Sequence, residues 1–183
     1  MKNKKGFTLV ELLTAIIITG VLVAMAVPMY EKSIERSRLA EVRTRLAKLF
    51  DSKIRIMTDM SMYNYDPNIL SAQNLDVSFP CDGGTTCSGN TFATKDFIYS
   101  LTPNKVSIPG IKFRQDSGVA GDTTSGVCAI RRTGEAQLVR LLYLGDLVTD
   151  ESKRFLCQNG SSTNGCEFLG MVSSDNSTLW CDD

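Results

Sequence analysis

The hydrophobic pattern of the chain changes twice. From Phe7 to Met29 almost every residue is apolar, and the single charged side chain in that stretch is Glu11. As a helix this run would be roughly 35 Å long, enough to cross the hydrocarbon core of a bilayer. A helix apolar all round must be covered all round, by lipid or by other helices. After Tyr30 the pattern becomes amphipathic. Leu39, Val42, Leu46, Leu49 and Ile56 recur at helical spacing, and Phe50 and Ile54 widen the stripe. Between them lie Glu31, Lys32, Glu35, Arg36, Arg38, Glu41, Arg43, Arg45, Lys48, Asp51, Lys53 and Arg55. Acids and bases interleave, and Glu41 and Arg45 form an i,i+4 pair, so this reads as a solvated face rather than a nucleic-acid surface. Together the two patterns predict one helix from Phe7 to about Met57 or Met60, roughly 75–80 Å long.

The third regime, 58–183, is about 126 residues, one domain's worth. Gly, Ser, Thr, Asn and Asp cluster at 82–90, 115–126, 158–165 and 173–178, which read as loops. Short apolar runs between them predict strands at Phe97–Leu101, Ile111–Arg114, Val127–Arg132, Gln137–Tyr143, Phe155–Cys157 and Phe168–Val172, with a hairpin turn at Thr133-Gly134-Glu135. All six cysteines lie here: Cys81, Cys87, Cys128, Cys157, Cys166 and Cys181. An even number on the side expected to be outside the membrane predicts up to three disulfides. Cys81–Cys87 is the most local candidate, and the remaining connectivity stays open. The chain has no histidine and no C-x2-C pair, which disfavours a zinc site.

Lys2, Lys4 and Lys5 precede the apolar run, which favours a cytoplasmic N-terminus with the remainder outside. A cleaved secretory signal ending at Ala24-Met25-Ala26 and a plain signal anchor are the rival readings. Neither explains Glu11, since a lone carboxylate in a membrane helix is expensive and needs a partner. The 20 basic and 20 acidic side chains balance, and loss of the three lysines would leave −3, which argues against a general DNA-binding or anionic-membrane-binding head.

The run Lys5-Gly6-Phe7-Thr8-Leu9-Val10-Glu11-Leu12 resembles the class III signal of type IV pilins and type II secretion pseudopilins. The resemblance covers about thirty residues. It implies an α+β, pilin-like fold: a long N-terminal α-helix packed on an antiparallel β-sheet head, with a disulfide-bearing C-terminal region. The implied division is a leader at 1–6, a transmembrane or filament-core half at 7–29, an amphipathic half at 30–57 and a globular head at 58–183. Prepilin peptidase would cut between Gly6 and Phe7, and the Phe7 amine would be N-methylated. Gly6 lets a protease approach closely, and the methylated amine keeps its charge. Glu11 would pair with the Phe7 ammonium of a neighbouring subunit and set the register between helices. Gly20 and Pro28 match the positions between which the helix melts in some assembled pili. Proline also predicts a kink in the free subunit. A bridge among the last three cysteines would close the C-terminal region, as in many type IV pilins.

Catalysis finds little support. No histidine is available for a nucleophile pair, and phosphate-loop and nucleophile-elbow motifs are absent. Asp146, Asp150, Glu151, Asp175, Asp182 and Asp183 lack EF-hand spacing and read as surface acids rather than calcium ligands. Asn159-Gly160-Ser161 and Asn176-Ser177-Thr178 fit the glycosylation pattern and read mainly as loops. No cofactor or metal is expected.

The leading expectation is a structural subunit of an extracellular type IV pilus serving adhesion, twitching motility or DNA uptake. Its partners would be further copies of itself, other pilins or minor pilins, the prepilin peptidase and the inner-membrane assembly platform. It would be single-pass in the inner membrane before assembly and on the cell surface afterwards. Alternatives are a type II secretion pseudopilin, a ligand-binding minor pilin and a membrane-anchored enzyme.

Overall fold

The computed structural model describes residues 6–61, 70–78, 81, 87, 89–103, 126–132, 138–160, 164–174 and 181. A single helix, α1 (Leu9–Ser61), runs unbroken through Gly20 and Pro28 for 53 residues, about 80 Å at 1.5 Å per residue. Its N-terminal half touches nothing: Leu9 to Tyr30 are exposed throughout. From Glu35 onward one face is covered. Leu39, Val42, Leu46, Leu49 and Phe50 are buried, as the amphipathic pattern predicts, and Ile54 and Ile56 pack at the edge.

The face is covered by a five-stranded antiparallel sheet of β1 (Thr91–Ala93), β2 (Phe97–Ser100), β3 (Val127–Arg131), β4 (Arg140–Tyr143) and β5 (Phe155–Gln158). Spatial order follows chain order, with each strand paired to the next. The period of two sorts side chains between two cores. Tyr99, Ala129, Leu141 and Cys157 are mutually in register and face α1. Cys128, Ile130 and Leu142 face away, into a second cluster with Leu144, Val148 and Cys181. β3 is therefore buried on both sides.

The α+β, pilin-like arrangement thus stands, with its disulfides toward the C-terminus. The strands expected at 97–101, 127–132, 137–143 and 155–157 are present with shifted ends. β4 starts only at Arg140 because Leu138 adopts a φ of 62°, which is incompatible with extended pairing. Ile111–Arg114 and the turn at 133–135 lie outside the described residues. The expected strand Phe168–Val172 is absent. That segment instead closes a short helix, α2 (Gly165–Phe168). Gly170 has a φ of +77°, its N–H donates to the Glu167 carbonyl, and the Met171 N–H donates to the Cys166 carbonyl. This is a Schellman stop, in which the glycine supplies a left-handed residue. Beyond it Ser173 bridges to Cys157.

Two charged residues assigned to the solvated face are inside. Glu35 is buried, and Lys53 is buried with Nζ donating to the carbonyls of Leu101 (2.6 Å) and Gly126 (2.7 Å). Periodicity misplaced them because a long side chain on the rim of the stripe can reach under the sheet when its head finds partners.

Candidate assembly site

The N-terminus of α1 is built by a reciprocal cap. The Thr8 hydroxyl accepts from the Glu11 N–H (3.2 Å), while Glu11 Oε2 accepts from the Thr8 N–H (2.9 Å) and from the Thr8 hydroxyl (2.8 Å). This is a capping box, with Thr8 as N-cap and Glu11 at the third helical position. An acid in the first turn also meets the positive end of the helix dipole. Glu11 Oε1 accepts no bond from the described residues. The carboxylate is held by one oxygen and offers the other. Sequence reasoning singled out Glu11 and missed Thr8, although Thr-x-x-Glu at the head of an apolar run is a capping signal.

Gly6 and Phe7 precede the helix, and Phe7 is 90% exposed. The leader lysines lie outside the described residues. Within the apolar half, the polar side chains other than Glu11 are satisfied internally. The Thr14 hydroxyl donates to the Glu11 carbonyl (3.0 Å), and the Thr19 hydroxyl to the Ala15 carbonyl (2.9 Å). That is what a helix must do where no water is available. Leu12, Ile16, Val23 and Met29 stay exposed. A Cβ added at Gly20 would meet nothing within 4 Å. No contact within the single chain explains that glycine. Pro28 supplies no N–H to the turn before it, yet the helix continues past it.

Where α1 first meets the sheet, a charge network joins the two. Arg131, at the end of β3, forks onto Glu35 through Nε (3.1 Å to Oε2) and Nη2 (2.8 Å to Oε1). Its Nη1 donates to the Asp96 side chain (3.0 Å) and carbonyl (2.9 Å), and its Cζ lies 5.0 Å from the centre of the Phe97 ring. Burial disfavours the Arg131 charge, but Glu35 and Asp96 outweigh it and raise the pKa further. Nothing in the spacing marks Arg131 as the residue that anchors sheet to stalk. The hint is a charge at the end of the apolar run Val127-Cys128-Ala129-Ile130.

The cysteines pair as Cys81–Cys87, Cys128–Cys181 and Cys157–Cys166, with Cα separations of 5.6, 6.5 and 5.9 Å. The first is the local pair. The last closes β5 onto α2. The second ties Cys181 to the outer face of the sheet, where the Arg140 guanidinium donates to the Cys181 carbonyl (2.9 Å). Each bridge contributes about 2–4 kcal/mol in a chain-entropy account.

Of the six scattered acids, Asp146 and Glu151 pair with Arg154, and Asp150 caps the turn at Glu151–Lys153 by accepting from Ser152. Asp175, Asp182 and Asp183 lie outside the described residues, as does Asn176. Asn159 accepts from the Cys166 N–H (2.8 Å), so its side chain serves the α2 loop.

Residues 1–27 match the sequence model of the prokaryotic N-terminal methylation motif. Part of the chain is also similar to curated pilins. It is 36% identical over 69 residues to a type IV major alpha-pilin of Moraxella bovis, covering 33% of this chain and 43% of that protein. It is 33% identical over 62 residues to a type IV major pilin of Myxococcus xanthus, covering 34% of this chain and 28% of that one. A type IV major fimbrial protein of Dichelobacter nodosus matches at 39% over 46 residues, 25% of this chain and 30% of that protein. The chain spans less than half the length of these relatives. The likeness is to type IV pilins, and the methylation motif lies at the head of the stalk.

Proposed function

We propose that this chain, whose stalk is that of the type IV pilin family, is a structural subunit of an extracellular pilus. In this reading prepilin peptidase cuts between Gly6 and Phe7, and the Phe7 amine is methylated. The subunit waits in the inner membrane with its N-terminus cytoplasmic, and residues 7–29 then pass from lipid into the core of a helical homopolymer. The single observation that carries this is an apolar half-helix with no cover from its own chain, headed by a motif matching the prokaryotic methylation signal. So large an exposed apolar surface requires either lipid or neighbouring helices.

Glu11 acts in register selection. Its Oε2 is held by Thr8, and its Oε1 is available to the ammonium of a neighbouring Phe7. A pair formed away from water gains Coulomb attraction but loses solvation, so its main effect is to fix how far one stalk slides along the next. Gly20 and Pro28 are where the helix would loosen on packing, because a helix already lacking one hydrogen bond at Pro28 costs less to open there. The 58–183 head forms the filament surface. The relatives named as major pilins favour a major subunit over a pseudopilin or a minor, ligand-binding pilin.

Mass spectrometry of material sheared from cells tests the reading. The expected result is an abundant mature chain beginning at N-methylated Phe7. A mature chain beginning after Ala26, in solution and without filaments, would overturn it.

A further inference from the structure

We propose that the cleft between α1 and the turn joining β1 to β2 receives carboxylates of the β4–β5 loop of a second copy, so that heads contact end to end. The inference rests on the polymer reading above and supplies it with a contact between heads.

The cleft has a volume of about 200 Å³ and is lined by Arg38, Glu41, Arg45, Lys95, Asp96 and Tyr99, among others. Its charges are only partly used. Arg38 reaches Glu35 through Nη1 alone, Arg45 reaches Glu41 through Nη2 alone, and Asp96 is taken by Arg131. Lys95 is exposed and forms no ion pair among the described residues. Tyr99 is 1% exposed, yet its hydroxyl, beside the Arg45 guanidinium, makes no hydrogen bond of acceptable geometry. A buried hydroxyl without a partner costs free energy, and a carboxylate entering the cleft would relieve it. Free donors on Arg38, Arg45 and Lys95 favour an anion with two acceptor oxygens.

The donor of that anion lies at the other end of the same sheet. The cleft adjoins the end formed by Phe97 and Arg131, whereas the β4–β5 loop leaves from the end formed by Tyr143 and Phe155. There Asp146 and Glu151 have side chains 75% and 81% exposed and share one partner, Arg154. The complementary patches are thus different surfaces at opposite ends of one head. Such surfaces cannot close a two-fold dimer on themselves. They join head to tail, and a head-to-tail contact whose rotation does not close into a ring propagates into an open array. This is the geometry a filament needs, with unlike charges facing along its axis.

Carbodiimide cross-linking of the full-length chain, mixed from light- and heavy-nitrogen cultures that assemble together, tests this. The expected product is a mixed-label peptide joining Lys95 to Asp146 or Glu151. Lys95→Glu and Glu151→Lys should each lower sheared filament about threefold to tenfold, and the double exchange should restore it to within about twofold. Filaments that form normally with either single variant, that are not rescued by the double exchange, or whose Lys95 links only to other groups, overturn the inference and leave the polymer reading intact. A processed wild-type chain that never polymerises overturns both.

Discussion

The two halves of α1 are one continuous helix in two environments. Ile17 and Leu46 are similar aliphatic side chains on that helix, yet Ile17 is 57% exposed and Leu46 is fully buried. The outer half owes its cover to its own chain: β2, β3 and β4 lie over it, and Phe50 packs so tightly that a Cβ on Gly145 would fall 2.2 Å from its ring. Gly145, with a φ of +51°, is there because no other residue fits both that backbone and that ring. The inner half has no such neighbours. Folding completes one half of the stalk and leaves the other to be completed by lipid or by copies of itself. A side chain in the two halves should therefore fail different assays.

The largest effect is expected at Glu11. Glu11→Ala should give processed subunits held in the membrane and a loss of sheared filament of more than about tenfold, since it removes the charge that sets the register between stalks. Glu11→Gln separates two roles. Glutamine can complete the capping box, so helix initiation survives while the charge does not. If Gln restores filament yield to the wild-type level, the carboxylate acts as a cap and register selection by charge is wrong. Neither variant should alter the denaturation midpoint of the head.

Next comes Arg131. Arg131→Met leaves Glu35 buried with only Arg38 as an ionic partner, and breaking such a pair costs about 3–5 kcal/mol. Denaturant titration of the full-length chain in detergent, followed by near-ultraviolet circular dichroism, would read it. Replacing Glu35 by Met as well should recover much of the loss, because the buried carboxylate is then gone and Asp96, whose side chain is 32% exposed, keeps contact with water. An equally unstable double variant would mean that the aromatic contact with Phe97, not the ion pair, carries the anchor.

Leu46 and Ile17 break the comparison most directly. Leu46→Ala should cost about 2–5 kcal/mol in the same titration, the range for a buried leucine whose cavity cannot fully collapse. Ile17→Ala should change it by less than about 0.5 kcal/mol, the range for exposed sites away from special features. Comparable losses at both positions would show that the inner half packs on its own head in solution.

What could be read from the amino-acid order follows the same division. The stalk is legible because its information is local: an apolar run, then a stripe at Leu39, Val42, Leu46 and Leu49, both periodic along one helix. The strands of the head are legible in kind but not in extent, since their ends depend on single backbone choices such as Leu138. The end of α2 and the turn after it read as a strand because Phe168-Leu169 is apolar in either state, and the deciding signal was Gly170. Least legible are the contacts between elements distant in sequence. Glu35 with Arg131, and Lys53 with the carbonyls of Leu101 and Gly126, are unlike the solvated charges around them only once the sheet is in place. The cleft at Tyr99 is of the same kind. Thr8 is the exception, a local signal overlooked because Glu11 had already been given a reason to exist.

The smallest expected effect concerns Asp96, where the anchor meets the cleft. Burial pushes its carboxyl up, but the hydrogen bond and charge of Arg131, with the charges of Arg38 and Lys95, outweigh burial and hold it below the ordinary range. A carboxyl depressed by folding stabilises the folded state above its unfolded value of about 3.9. That contribution is lost as pH falls through the folded value. Asp96 should thus add to stability fully at neutral pH and cease to do so in the acid limb below about pH 4. Asp96→Asn keeps the backbone carbonyl that also binds Arg131, so it removes the charge with little else. The variant should melt slightly earlier than wild type at pH 7, and the two should converge as pH falls towards about 2. A deficit that persists unchanged into acid would assign the effect to packing at the β1–β2 turn. The ion network would then be a consequence of how the stalk meets the sheet rather than a cause of it.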